Sequence, residues 1–161
     1  MLEARRLLIT GVATDDSIGL AIARRAQQMG AEVALTVFPR DRESALDAAR
    51  SLPKPLVDVI DADLTRPEDL ASVTERLRER WDGLDGAVHA VAFAPRTALA
   101  PAFLDAPSAD IELAFRTSVH TYVGLAGVLR DLAPARGGSL VGLDFDGSRA
   151  WPVYNWMGVC K

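Results

Sequence analysis

The 161-residue sequence contains one cysteine, Cys160, and two histidines, His89 and His120. A single cysteine forms no internal disulfide, and one thiol with two isolated histidines lacks the spacing of a zinc site. We therefore expect no metal site. An unpaired thiol is typical of a protein kept in a reducing compartment, so we also expect a cytoplasmic location.

Basic charge and long apolar runs are also lacking. The formal net charge is -4, which provides no positive field for nucleic acid or an anionic membrane surface. No apolar run approaches membrane-spanning length, and the N-terminal residues MLEARR contain no signal segment. We expect neither a nucleic-acid partner nor a membrane partner.

The most informative stretch that is present covers residues 5–23, RRLLITGVATDDSIGLAIA. A short apolar run leads into a loop with Gly11 and Gly19 and then into an amphipathic segment. This is the order of the first strand, turn and helix of a dinucleotide-binding fold, in which the helix N-terminus receives a pyrophosphate. Ser17 would donate to a phosphate oxygen, and Gly19 would let the helix pack closely on the strand. A bare strand-to-helix turn has the same pattern, so both interpretations stay open.

Four further apolar runs alternate with helical patterns. Strands are predicted over residues 31–37, 56–60, 87–93 and 139–145, and helices over residues 42–52, 67–80 and 108–132, with a loop over residues 95–107. This alternation predicts an α/β doubly wound parallel sheet of strand order 3-2-1-4-5. Together with the dinucleotide-binding interpretation of residues 5–23, it favours one NAD(P)-binding Rossmann domain over residues 1–161. Such a sheet binds its ligand at the carboxyl edge, between strands 1 and 4.

Several residues at that edge allow two interpretations each. The second strand does not end in a carboxylate that could bind the ribose hydroxyls of NAD. Arg40 or Arg42, which follow it, would reach a 2′-phosphate in one interpretation, and both are solvated in the other. Asp63, just past the third strand, either accepts a hydrogen bond from an adenine amino group or caps a turn. His89 lies inside the fourth apolar run, where a core histidine is the simpler interpretation.

The last eight residues are YNWMGVCK. In a helix, positions seven apart share one face, so Tyr154 and Lys161 would project together, two turns apart. Hydride transfer from a nicotinamide needs such a pair. The phenol hydrogen-bonds the oxygen that becomes anionic, and the ammonium holds the nicotinamide ribose. Tyr154 and Lys161 could also be two unrelated surface residues that have this spacing by coincidence.

Three runs carry a family resemblance: GVATDDSIG, HAVAFAP and VGLDFDGSRAWPVYNWMGVCK. They resemble the enoyl-acyl carrier protein reductases of actinobacterial type, a branch of the short-chain dehydrogenase/reductases, and the resemblance extends over essentially the whole chain. It implies a catalytic Tyr-x6-Lys pair at Tyr154 and Lys161, whereas the commoner Tyr-x3-Lys would need lysine at Gly158. The implied cofactor contacts are Gly11, Ser17, Ile18, Phe38, Asp63, Leu64, Val91, Leu143, Asp144 and Lys161. The implied substrate contacts are Phe145, Tyr154 and Met157.

The resemblance also implies the reaction. It is the NADH-dependent reduction of trans-2-enoyl thioesters on acyl carrier protein in fatty acid biosynthesis, by a homotetramer. The residues alone leave NADPH open as the alternative cofactor. Further strands follow the catalytic lysine in that family, so the resemblance implies a fold truncated at its C-terminus. Two alternatives stay open: a nucleotide-binding or oligomer-forming homologue without catalysis, and a carbonyl-reducing short-chain dehydrogenase.

Overall fold

Five short strands form one parallel sheet in a computed structural model, which describes residues 1–99 and 102–161. The strands are β1 (Arg6–Ile9), β2 (Glu32–Val37), β3 (Val59–Asp61), β4 (Gly86–His89) and β5 (Ser139–Gly142). Their order is β3-β2-β1-β4-β5, and each neighbouring pair is parallel. The predicted doubly wound sheet is thus confirmed, with the order reversing at β1.

Helices connect the strands. They are α1 (Ile18–Gln28), α2 (Arg42–Ala49), α3 (Pro67–Arg80), α4 (Arg96–Leu99), α5 (Ser108–Phe115), α6 (Thr121–Leu132) and α7 (Asn155–Cys160). Two 3-10 turns cover Pro39–Asp41 and Phe103–Asp105, and a π-helical segment, Arg116–His120, joins α5 to α6. The predicted loop over residues 95–107 therefore contains α4 and a 3-10 turn, while its residues 100 and 101 lie outside the described residues. The predicted helix over residues 108–132 is interrupted by the π-helical segment.

The strands are shorter than predicted at their carboxyl ends. β4 stops at His89 instead of residue 93, because the next backbone groups bond to side chains. Ala90 N donates to Thr10 Oγ1, and Phe93 N donates to Ser118 Oγ. β5 stops at Gly142 instead of residue 145, and Phe145 N donates to the carbonyl of Lys161. The sheet therefore ends in loops whose backbone is held by specific side chains and by the last residue.

Helices pack against both faces of the sheet at β1, β2 and β4, where alternate side chains along each strand point to opposite sides, whereas the edge strand β5 is largely exposed. Leu8 and Ala34 pack with residues of α3 and α6, whereas Ile9 and Leu35 pack with residues of α1 and α2. All four are 0% exposed. The helices therefore cover both sides and leave the carboxyl edge of the strands accessible through its loops.

Candidate functional site

The carboxyl ends of β1 and β4 are fixed to each other by Thr10, which is 0% exposed. Its Oγ1 donates to Val88 O at 2.9 Å and accepts from Ala90 N at 3.2 Å. The next residue, Gly11, has φ +77°, and a Cβ there would lie 2.0 Å from Ala90 O. Only glycine fits such a close approach of two backbones. The role of Thr10 was not predicted, although a hydroxyl residue between an apolar strand and a glycine is a usable signal.

Ser17 precedes α1 and shapes the loop after β1. Its Oγ accepts hydrogen bonds from Ala13 N at 3.1 Å and Thr14 N at 2.9 Å. The Ser17 hydroxyl still has its own hydrogen to donate, either to Thr14 Oγ1, 3.5 Å away, or to an anion at the N-terminus of α1. A Cβ on Gly19 would lie 2.9 Å from Thr10 O, which confirms that this glycine lets α1 pack closely on the strand. Ile18, the first residue of α1, is 64% exposed.

A cleft of about 330 Å³ opens at this edge, between the loops that follow β1, β2, β3 and β4. Its volume is within the range of pockets that bind small molecules. Five of the cofactor contacts implied by the resemblance line it together: Gly11, Phe38, Asp63, Leu64 and Val91. The opposite wall is formed by residues of α5 and the π-helical segment, including Leu113 and Thr117. The lining is mostly apolar, and its charged residues are Arg40, Asp41, Asp63 and Arg116.

Ser118, in the π-helical segment, holds the loop that follows β4. Its Oγ accepts from Phe93 N and donates to Phe93 O, both at 3.0 Å, and the residue is 2% exposed. Residues 90–93 form one wall of the cleft. Ser118 therefore fixes that wall from the π-helical segment, a role that was not predicted from the sequence. Such π-helical segments often occur at functional sites.

Asp63 caps the turn after β3. Its Oδ1 accepts from Thr65 N at 2.9 Å and from Thr65 Oγ1 at 2.7 Å, while its own N donates to Asp69 Oδ2. The turn-capping interpretation is confirmed by these bonds. Because Asp63 also lines the cleft, its contact with an adenine stays a prediction that is compatible with the first role.

Lys161 brings a positive charge close to the end of β4. Burial lowers the pKa of Lys161 below its ordinary value, and the Asp144 carboxylate opposes that shift. Burial, and then the charge of Lys161, lowers the pKa of His89 to about 4. His89 is 1% exposed, with Nε2 2.7 Å from Thr121 Oγ1, which confirms it as a neutral core histidine. The ammonium of Lys161 thus lies within electrostatic range of the last residue of β4.

Tyr154 and the residues around it form a second group. The ring of Tyr154 stacks on Phe145, with centroids 4.2 Å apart and planes at 25°. Met157 is buried at 5% exposure, and the backbone of Lys161 closes on this group through the bond from Phe145 N. Leu143 N donates to His89 O at 3.0 Å, which ties the loop after β5 to β4. Tyr154 and Lys161 flank α7 at its two ends, so the helix predicted to carry both is only the six residues between them, and their common face stays a prediction. Leu143 and Asp144 follow β5, and none of these four residues lines the cleft.

A second cavity, of about 540 Å³, lies at the opposite edge of β1, β4 and β5. The Asp85 carboxylate there is 8% exposed and pairs with both Arg5 and Arg136. This second cavity is larger than the carboxyl-edge cleft, but ligands of open α/β sheets bind at the carboxyl ends of the strands, where the order reverses.

The described part of the chain contains no group of three or more His, Cys, Asp or Glu residues that could hold a metal. None of its helices combines the length and apolarity needed to cross a bilayer.

Comparison with known proteins decides the family. The profile of the enoyl-(acyl carrier protein) reductase family matches residues 11–161. The chain belongs to this family. Among its relatives are the enoyl-[acyl-carrier-protein] reductases [NADH] of Mycolicibacterium smegmatis, 40% identical, and Mycobacterium avium, 38% identical. Each alignment covers 100% of this chain and 60% of the relative.

A further reductase of the same name, from Neisseria meningitidis, is 35% identical over 99% of this chain and 62% of its own length. The chain thus spans about 60% of the length of the curated relatives that it matches. The predicted family resemblance is confirmed by these matches.

Proposed function

We propose that this chain carries the dinucleotide-binding and catalytic residues of an NADH-dependent reductase of trans-2-enoyl thioesters on acyl carrier protein, an enzyme of fatty acid biosynthesis. The relatives named above are NADH-dependent enoyl reductases. The observation that supports the proposal most is the cleft at the carboxyl ends of the strands, which Gly11, Asp63 and Val91 line together. It lies between the loops that follow β1 and β4, where the strand order reverses and where such sheets bind their dinucleotide.

The residues of the cleft fit the adenosine half of a dinucleotide. Leu64 and Val91 offer apolar walls for a flat ring, and Asp63 offers a carboxylate acceptor for an amino group on that ring. Gly11 lines the cleft and lets the loop after β1 lie directly against the backbone of Ala90, at the carboxyl end of β4. Ser17 and Ile18 begin α1, whose N-terminal N–H groups favour the negative charge of a pyrophosphate.

The second group fits the reacting half. The nicotinamide, when bound, supplies the hydride that reduces C3 of the enoyl thioester. The Tyr154 hydroxyl would donate a hydrogen bond to the thioester oxygen and so stabilise the negative charge that develops there. Lys161 would hold the ribose next to the nicotinamide and add positive potential, with Asp144 favouring its charged form. Phe145, stacked on Tyr154, and the buried Met157 would border the acyl group.

Loss of NADH absorbance in the presence of a trans-2-enoyl thioester tests this proposal. Tyr154→Phe removes one hydroxyl and is expected to lower turnover by about 10²-fold or more, with NADH affinity unchanged. Tyr122→Phe is the matched control, because Tyr122 is the other tyrosine of the chain and packs edge-on against His89. Equal turnover in both variants would contradict the assigned role of Tyr154. NADH binding without turnover would favour a nucleotide-binding homologue, and turnover of ketones in place of enoyl thioesters would favour a carbonyl reductase.

We also infer a homotetramer and a cytoplasmic location. Large apolar side chains stay exposed on the helices that precede β5, with Phe115 at 52% and Val123 at 60% exposure. Such surfaces commonly mark contacts between subunits. Light scattering after size-exclusion chromatography would report the mass of the assembly, and a monomer at micromolar concentration would contradict the inference.

A further inference from the structure

We propose that Val153 is a positioning residue for Tyr154, because the strained backbone at Val153 sets where the phenol lies. This inference rests on the proposed function. Among the described residues, three that are not glycine have a positive φ: Ala4, Val153 and Asn155. Two of these three flank Tyr154, with φ +59° at Val153 and +45° at Asn155. Strained backbone of this kind is concentrated at the functional sites of proteins.

Val153 lies in a turn that runs from Trp151 to Tyr154. Pro152 is the second residue of the turn, Val153 with its positive φ is the third, and Tyr154 N donates to Trp151 O at 3.3 Å. These are the features of a type II turn, whose third position favours glycine or asparagine because of its positive φ. A β-branched residue there is a steric outlier. Val153 is also 78% exposed, so burial of its side chain offsets little of the strain.

The side chain of Tyr154 is held on two sides. Its ring stacks on Phe145 with centroids 4.2 Å apart, and a Cβ on Gly158 would lie 3.5 Å from its Cδ1, so the ring also lies against α7. Trp151, at the start of the turn, lies edge-on to the same Phe145 ring with centroids 5.4 Å apart, and its Nε1 donates to Asp146 O at 2.8 Å. The turn therefore connects two side chains that both pack on Phe145, with only two residues between them.

Strain at one residue persists only where the surrounding contacts compensate for it. The exposed side chain of Val153 does not provide that compensation, whereas its neighbours Trp151 and Tyr154 pack on Phe145. The placement of these two rings accounts for the strain, and the left-handed backbone in turn fixes the phenol. Asparagine adopts a positive φ more readily than valine and should fit the turn with less strain. Proline, whose φ is fixed at about −65°, should not fit it.

Variants of the full chain test this inference, with kcat for a trans-2-enoyl thioester, NADH affinity and melting temperature measured for each. Val153→Asn should raise the melting temperature by about 2–4 °C and keep kcat within about twofold. Val153→Pro should lower kcat by about 10²-fold, as expected for Tyr154→Phe, and leave NADH affinity within about twofold. Val159→Asn is the matched control, because Val159 is also exposed but lies in α7, where asparagine does not stabilise the backbone.

Val153→Gly replaces the proline variant if that variant does not fold. Glycine accepts the positive φ but also leaves it freely, so kcat should fall by roughly threefold to tenfold with NADH affinity unchanged. Unchanged kcat in a folded Val153→Pro variant, or in Val153→Gly where the proline variant is unfolded, would overturn the inference and leave the proposed function standing. So would a Val153→Asn variant no more stable than the parent chain, or a parallel loss of kcat and NADH affinity, which indicates a structural role alone. Equal kcat of Tyr154→Phe and the parent chain, including no turnover by either, would overturn both.

Discussion

Replacing Gly11 by alanine tests the close approach of β1 and β4 on which the cleft depends. Two costs add at this position. The backbone has φ +77°, which is strained for alanine by about 1–2 kcal/mol. The new Cβ would lie 2.0 Å from Ala90 O, and this contact is relieved only by moving backbone, at a further cost of about 1–3 kcal/mol. We expect a loss of about 3 kcal/mol, or about 6–12 °C in melting temperature for a chain of this size.

Two other glycines separate these costs. Gly137 has φ +85° and no atom within 4 Å of an added Cβ, so Gly137→Ala carries the backbone strain alone, about 1–2 kcal/mol. Gly127 lies in α6 with no atom within 4 Å, so Gly127→Ala should stabilise the protein by up to about 1 kcal/mol. The three substitutions add the same methyl group and should rank in this order.

Urea unfolding followed by tryptophan fluorescence measures all three, because one of the tryptophans, Trp81, is buried in the core. NADH titration of each folded variant adds a functional readout, and only Gly11→Ala should weaken binding. Equal stability of Gly11→Ala and Gly137→Ala would refute the steric argument. Unimpaired NADH binding by Gly11→Ala would refute the claim that this approach shapes the site.

Two further predictions concern buried polar groups. The pKa of His89 is lowered to about 4 in the folded chain, so the unfolded chain binds a proton at this residue first as the pH falls. The free energy of unfolding should therefore drop between about pH 6.5 and pH 4, by about 3 kcal/mol in total. His89→Gln should remove this part of the pH dependence in urea titrations, His120→Gln should keep it, and an unchanged profile in His89→Gln would contradict the assignment. Ser118→Ala should lower the free energy of unfolding by about 1–3 kcal/mol, because it leaves Phe93 N and Phe93 O without their partner. It should also weaken NADH binding. Urea unfolding measures the first effect and calorimetry the second, and full NADH affinity in Ser118→Ala would show that the cleft wall does not need these bonds.

The order of the sheet could be predicted from the sequence because it follows from local pattern and a general rule. Apolar runs alternating with amphipathic segments indicate parallel strands, and right-handed crossovers leave few arrangements. The edge where the order reverses then follows, so Gly11, Asp63 and Val91 could be assigned to one cleft from the pattern of the sequence. Nothing beyond strand ends and helix starts was needed for that step.

Contacts between distant residues could not be predicted in this way. Thr10 bonds to residues about 80 positions away, and Ser118 bonds to Phe93 across 25 positions. Whether Arg40 or Arg42 faces the cleft depends on the ion pair of Arg42 with Asp61, which exists only once β2 and β3 are paired. Side chains that bridge elements are set by tertiary packing, and periodicity carries no information about them.

Hydrogen exchange of the full chain with and without NADH tests the central claim most directly, because it maps where a dinucleotide binds. The account predicts slower exchange in residues 11–18, 63–65 and 90–93, which surround the carboxyl-edge cleft and the start of α1. Protection confined to residues 136–139, at the larger cavity of the opposite edge, or no protection at saturating NADH, would contradict it.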